Sequence, residues 1–174
     1  GHLLTHGSLY KLHVHVKNGW HDRIPAYATR VVQGEQSKNY TAQFWNPEKP
    51  YKWKNKKFNI SQVGDLLIYE AHVGMSQEEP KVGTYKEFTK KVLPRIKKAG
   101  YNAVQLMAIA EHPYYGSYGY HVANFFAPSS RCGTPEELKA LIDTAHKMGI
   151  AVIMDLVHAH YVKNQNEGIL DLDG

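Results

Sequence analysis

The first third of the chain alternates between apolar and polar positions in short runs. Leu12, Val14 and Val16 are separated by His13 and His15, and a second run covers Ala28-Thr29-Arg30-Val31-Val32-Gln33. A period of two marks a half-buried strand, because successive side chains leave opposite faces of the pleat. Asn18-Gly19 between such runs predicts a hairpin, and Gly34 followed by polar residues predicts a second turn. A complete β-sandwich needs about seven strands over roughly 100 residues. This stretch has room for about half of one, so it reads as the end of a sandwich whose beginning is absent.

From residue 66 the pattern changes. Leu66-Leu67-Ile68-Tyr69, Ala103-Val104-Gln105-Leu106-Met107 and Ile150-Ala151-Val152-Ile153-Met154 are continuous apolar runs, as expected of parallel strands covered on both faces. Before the third run, Thr134-Pro135-Glu136-Glu137 combines an N-cap, a proline at the first helical position and the glutamate of a capping box. Leu138, Leu141, Ile142 and Ala145 then form one apolar stripe, and Gly149 can close the element in the left-handed conformation. The spacing predicts a helix over 135–148. An earlier helix has Thr84 as cap, a stripe of Phe88, Val92, Ile96 and Ala99, and Gly100 as terminator, with a kink expected at Pro94. The order β-α-β-α-β implies an α/β fold, either a doubly wound sheet or a β/α barrel. Three strands decide neither, and they cannot close a barrel, which needs eight.

Composition changes this picture little. Hydrophobic residues are 43% and charged residues 21% of 174 positions, ordinary values for a chain that buries a core. No apolar run is long enough for a bilayer, the N-terminus has no export signal, and Cys132 is the only cysteine. These features suit a soluble protein of a reducing cytoplasm, without a membrane partner. The net charge of +5 and the lysines from Lys49 to Lys57 around Tyr51 and Trp53 raise a nucleic-acid reading. Pro47, Pro50 and the polar composition instead suit a solvated linker, and no nucleic-acid partner is expected.

Ligands of both candidate folds bind beyond the carboxyl ends of parallel strands. Three segments lie there: Glu70-Ala71-His72-Val73-Gly74, the stretch from Glu111 to Arg131, and Asp155-Leu156-Val157-His158-Ala159-His160. The second is longer than a crossover needs, shows no obvious regular structure, and carries Tyr114, Tyr115, Tyr118 and Tyr120 with Gly116 and Gly119. Tyrosines on such a loop suit sugar recognition, with the ring covering C–H surface and the hydroxyl bonding sugar hydroxyls; a loop packed by its own aromatics is the plainer alternative. Asp155 ends an apolar strand, where a carboxylate is either paired or functional. His158-Ala159-His160 also has the H-x-H form of some zinc sites, although a mononuclear site needs at least three protein ligands. Glu70 and Glu111 are expected to be paired structural carboxylates.

Together these residues resemble a known family. Asp155-Leu156-Val157-His158-Ala159-His160 is similar to the first shared motif of the α-amylase superfamily, in the form seen in glycogen and starch (1,4-α-glucan) branching enzymes. Tyr118-Gly119-Tyr120 with Asn124-Phe125-Phe126-Ala127-Pro128-Ser129-Ser130-Arg131 resembles the loop after their second barrel strand. Ile68-Tyr69-Glu70-Ala71-His72-Val73-Gly74 resembles their first barrel strand, and residues 23–33 the end of the carbohydrate-binding-type sandwich before it. The resemblance implies residues 1–47 as sandwich, 48–64 as linker and 65–174 as the first three strands and two helices of a TIM barrel. It implies a retaining enzyme that cleaves an α-1,4-glucan (glycogen, amylose or amylopectin) and transfers the chain to a glucose 6-hydroxyl. Tyr120 would stack on the sugar at the cleavage site with Tyr118 beside it, His160 would bond that sugar's hydroxyls, and Asp155 would orient a downstream arginine. The nucleophile and the acid/base would lie beyond Gly174, leaving this stretch inactive alone. No cofactor is implied. Ala159 stands where amylases carry a calcium-ligating Asn, and its side chain has no oxygen to offer, so no metal is expected. A non-catalytic glucan-binding protein, or a debranching enzyme of the same superfamily, is the alternative.

Overall fold

The computed structural model describes residues 3–169; the parts of the domain reading that fall on residues 1, 2 and 170–174 lie outside them. In chain order the strands are β1 (Leu9–Tyr10), β2 (Leu12–Val16), β3 (Gly19–Arg23), β4 (Val31–Gln33), β5 (Tyr40–Gln43), β6 (Ile68–Ala71), β7 (Ala103–Leu106), β8 (Ala110–Glu111), β9 (Asn124–Pro128) and β10 (Ala151–Met154). The α-helical segments are α1 (Tyr85–Glu87), α2 (Leu93–Lys98) and α3 (Pro135–Lys147). They divide into two compact units. One takes the chain up to residue 49, residues 110–130 and the chain from 156 onward; the other takes 50–109 and 131–155.

In the first unit, β5 lies between β1 and β4, antiparallel to both. The expected hairpin forms from β2 and β3, with Val16 opposite Gly19 and Gly19 at φ +109°, a conformation that favours glycine. Ile24, Ala28, Val31, Tyr40, Ala42 and Ala127 form this unit's core. Ala127 belongs to β9, which pairs with β8. The stretch from Glu111 to Arg131, expected to be irregular, therefore contains a short antiparallel ribbon. Its pairing is tertiary, and a two-residue strand leaves no periodic trace.

The second unit is built on a parallel sheet in the order β10-β7-β6, each strand beside the one that precedes it within this sheet. Ala103, Val104 and Leu106 of the middle strand are fully buried. Leu93, Ile96, Leu138, Leu141 and Ala145 pack with them in one core; each fully buried large aliphatic side chain contributes about 1.5–3 kcal/mol. The expectation of strands covered on both faces fails for β6: Ile68 is 45% and Tyr69 39% exposed. An apolar run reports the need for cover, while the covering elements come from elsewhere in the sequence.

Both expected helix starts carry complete capping boxes, Thr84 with Glu87 and Thr134 with Glu137. The kink expected at Pro94 takes the form of a wide turn, Phe88–Val92, closed by the Leu93 N–H on the Phe88 carbonyl. Proline cannot donate the next helical hydrogen bond, so the chain absorbs its ring by widening the preceding turn. α3 runs into the sheet through Gly149, at φ +71°, after which Ile150 and Ala151 enter β10.

Candidate functional site

The carboxyl ends of β6, β7 and β10 lie together at one edge of the parallel sheet, because the register pairs Ala71 and Met154 with Leu106. Asp155 follows β10 directly, and its N–H donates to the Leu106 carbonyl at 3.2 Å. The ladder thus continues one residue past the strand and holds the half-buried Asp155 at that edge. Glu70, next to the end of β6, accepts a hydrogen bond from Gln105 Nε2 at 3.1 Å across the ladder. It is a paired carboxylate, as expected.

The tyrosine loop belongs to the first unit. A single helical turn, Tyr115–Ser117, ends on Tyr118 in the left-handed conformation at φ +57°. Tyr120 follows, half-buried, its N–H bonded to the Ser117 carbonyl at 3.0 Å. Tyr114 and Tyr118 are exposed, at 63% and 50%. The base of the loop is closed by Glu111, which has no exposed surface: its carboxylate accepts from the Ser130 N–H at 2.7 Å and from the His112 N–H at 3.1 Å. The expectation of a structural carboxylate holds here too, and the residue ties both ends of the loop together.

The segment after Asp155 runs beside this loop. The Val162 N–H donates to the Val122 carbonyl at 2.8 Å, and the His158 ring stacks on Phe125 with centroids 5.6 Å apart. His160 is exposed on a turn. Tyr118, Tyr120 and His160 fall in the first unit and Asp155 in the second. His158, half of the proposed H-x-H pair, is engaged by an aromatic ring. No group of three His, Cys, Asp or Glu side chains suited to a metal occurs among the described residues, and no described helix is long and apolar enough to cross a membrane.

One constellation has no counterpart in the sequence reading. Asp143 of α3, 2% exposed, receives Tyr51 Oη at 2.6 Å and the Lys54 N–H at 2.9 Å on one oxygen, and the Asn55 N–H and Nδ2 at 2.9 Å on the other. Burial opposes ionisation of this carboxyl, but the hydrogen bonds overcome it and hold its pKa below the usual carboxylate range. Burial together with the bond to Asp143 pushes the Tyr51 phenol up to about 12. Residues 51–55, within the stretch read as a linker, are thereby anchored to a helix. Asp143 lies off the apolar stripe of α3, and its partners are distant in sequence, so no local signal marks it.

Sequence comparison adds a family to this geometry. The family described as "Alpha amylase, catalytic domain" matches residues 27–167. The chain belongs to the alpha-amylase family. Within that family it is 55% identical, over 98% of its length, to a protein of Yarrowia lipolytica named 1,4-alpha-glucan-branching enzyme. It is 59% identical, over 87% of its length, to the Saccharomyces cerevisiae protein of the same name. The chain spans about a quarter of the length of these relatives, 25% and 23%. Among solved structures, a putative alpha amylase from Salmonella typhimurium matches 80% of this chain and 22% of its own, with 26% identity and a TM-score of 0.66. A pullulanase from Anoxybacillus sp. shares the fold, with a TM-score of 0.63 at 22% identity.

Proposed function

We propose that this alpha-amylase-family chain is part of a 1,4-α-glucan branching enzyme and carries the sugar-positioning part of its active site. The observation that carries the reading is the identity of 50–59% to proteins named as branching enzymes, over a stretch that includes the tyrosine loop and the Asp155 segment. The sheet order is that of the first three strands of a TIM barrel, each laid down beside the preceding strand of the sheet; a doubly wound sheet starts the same way, so the barrel reading rests on the family likeness. On this reading residues 1–47 are the end of a carbohydrate-binding-type sandwich, 48–64 connect, and 65–174 begin the barrel.

Tyr120, with Tyr118 beside it, stacks on the glucosyl unit at the cleavage site, and His160 bonds that unit's hydroxyls. Asp155, held at the carboxyl edge of the sheet, orients a cationic side chain from a later strand. The chemistry needs two more carboxyl groups about 5 Å apart. One attacks the anomeric carbon as the α-1,4 bond to the leaving chain breaks; the other protonates that leaving oxygen and then deprotonates the 6-hydroxyl that takes the glucosyl group. Neither Glu70 nor Glu111 is free for these tasks, since each is engaged structurally. Neither of them is therefore assigned to catalysis. A cytoplasmic setting suits the single, buried Cys132.

The test is kinetic. In the full-length polypeptide, Tyr120→Ala and His160→Ala lower kcat/KM on amylose by about tenfold or more, corresponding to about 1.4 kcal/mol of lost transition-state binding. The isolated chain leaves the iodine absorbance of amylose unchanged. Wild-type rates in both variants, or full activity in the isolated chain, would overturn the proposal.

A further inference from the structure

We infer that a groove at the opposite end of the parallel sheet binds a phosphoryl group carried by a small ligand. The groove, about 400 Å³, lies between residues 54–58 and the last turn of α3, and is lined by Lys54, Lys56, Lys57 and Lys147 with Phe58 and His146. α3 leads into the amino end of β10, whereas Asp155 follows its carboxyl end. The length of a strand therefore separates this groove from Asp155 of the same unit. The inference rests on this groove and stands apart from the branching reading.

Three features point to an anion. The first is uncompensated charge. Lys81, Lys86, Lys91 and Lys139 of the same unit each meet a glutamate; among the described residues the four groove lysines, like Lys52, Lys90, Lys97 and Lys98, have no carboxylate partner, and the groove is where four such lysines line one recess. Four like charges around one recess repel, and an anion seated between them relieves that repulsion. The nearby carboxylate of Asp143 already serves Tyr51, Lys54 N–H and Asn55.

The second feature is preorganisation. Asp143 fixes the backbone at Lys54 and Asn55, and the Phe58 ring lies face to face on His146, with centroids 4.1 Å apart and planes within 5°. The strap bearing three of the lysines is thus pinned to α3 at both ends, which lowers the cost of ordering it around a ligand. A lysine in the last turn of a helix ordinarily complements the helix dipole. That accounts for Lys147 but not for Lys54, Lys56 and Lys57, which are off the helix.

The third feature is size. The volume falls in the range of small-molecule sites and admits a sugar phosphate. Lysine suits a phosphate as a mobile point charge with three donors. A nucleic-acid strand would use aromatic platforms along a longer basic track, but Tyr51 spends its hydroxyl on Asp143 and meets Trp53 edge-on, at 79°.

The experiment titrates the 174-residue chain with inorganic phosphate, with glucose 6-phosphate and with glucose, at constant ionic strength set by chloride, following backbone amide shifts. The expected result is saturable movement of residues 54–58 and 146–147 with both phosphates and none with glucose. Lys56→Ala/Lys57→Ala/Lys147→Ala weakens binding at least tenfold, while Lys17→Ala/Lys90→Ala/Lys163→Ala, which removes equal charge elsewhere, changes it less than twofold. All six side chains are exposed, so both variants keep the far-UV circular dichroism of the parent. Equal affinity for the two phosphates assigns recognition to the phosphoryl group alone, and tighter binding of glucose 6-phosphate adds the sugar; either supports the inference. Shifts that do not saturate, equal losses in both variants, or tighter binding of single-stranded RNA than of glucose 6-phosphate through the same lysines would overturn it.

Discussion

Replacing Asp143 by asparagine changes little in shape and much in hydrogen bonding. One carboxylate oxygen accepts from Asn55 N–H and Nδ2, the other from Tyr51 Oη and Lys54 N–H. An asparagine that keeps its carbonyl toward Asn55 turns an NH₂ group toward Tyr51 and Lys54. The phenol can rotate and accept, but the Lys54 N–H cannot. One hydrogen bond to a charged group, about 1.5–3 kcal/mol, is replaced by two opposed donors, and the remaining bonds lose their charge assistance. Asp143→Asn should therefore cost about 2–3 kcal/mol. Asp143→Ala should cost about 3–5 kcal/mol, because Tyr51 Oη and the Lys54 and Asn55 N–H groups lose their acceptor, while Asn55 Nδ2 keeps the backbone carbonyl of residue 143 at 2.9 Å. Tyr51→Phe, which deletes a single bond, should cost about 1–2 kcal/mol. Urea unfolding followed by the fluorescence of Trp53, which packs edge-on against Tyr51, resolves these steps. If Asp143→Asn costs less than about 0.5 kcal/mol, the level of an ordinary surface substitution, the clamp does not anchor the strap and the reasoning fails.

Other consequences follow from single residues. Gly133 sits at φ +139°, and a Cβ there would fall 2.1 Å from the Glu137 Oε2 that closes the α3 capping box; Gly133→Ala should cost about 2–3 kcal/mol from backbone strain and the lost cap, measured by thermal unfolding. Glu111→Gln replaces one of the acceptors shared by Ser130 and His112. It should cost about 2 kcal/mol and speed proteolysis between residues 114 and 123, read by mass spectrometry. Tyr51 has a folded pKa of about 12, above its unfolded value of 10.0. Its stabilisation is fully present below pH 10 and lost as pH rises toward 12, and Tyr51→Phe should abolish that alkaline loss. Asp143 has the opposite sign: its folded pKa is depressed, so its contribution is present above the ordinary carboxylate range and is lost progressively as pH falls from that range through the depressed folded pKa.

What was legible in the sequence follows the range of each signal. α3 and its cap could be read because Thr134, Pro135, Glu137 and the apolar stripe lie within a few turns of one another. The parallel strands were legible as apolar runs, and Asp155 as the charge that ends one of them. The exposure of β6 was not, since burial depends on partners from elsewhere in the chain. The ribbon of β8 and β9 escaped because Ala110 and Glu111 are too few to show a period, and the left-handed backbone of Tyr118 because that residue type rarely adopts it. The clamp at Asp143 joins positions 51–55 to 143, where only the fold makes them neighbours. Family likeness in the Asp155 and Tyr120 motifs is the ground for proposing a sugar-positioning role there; composition and periodicity alone left the tyrosine loop open between recognition and self-packing.

The most direct test of the branching account is the linkage composition of amylose treated with the full-length polypeptide that carries this sequence, read from anomeric proton resonances together with reducing-end titration. Branching predicts growing α-1,6 signals, with α-1,4 signals falling in equal number and no matching rise in reducing ends, because each cleaved chain is transferred to a 6-hydroxyl. Reducing ends that rise with every bond broken, and no new α-1,6 linkage, would contradict it and make the protein a hydrolase.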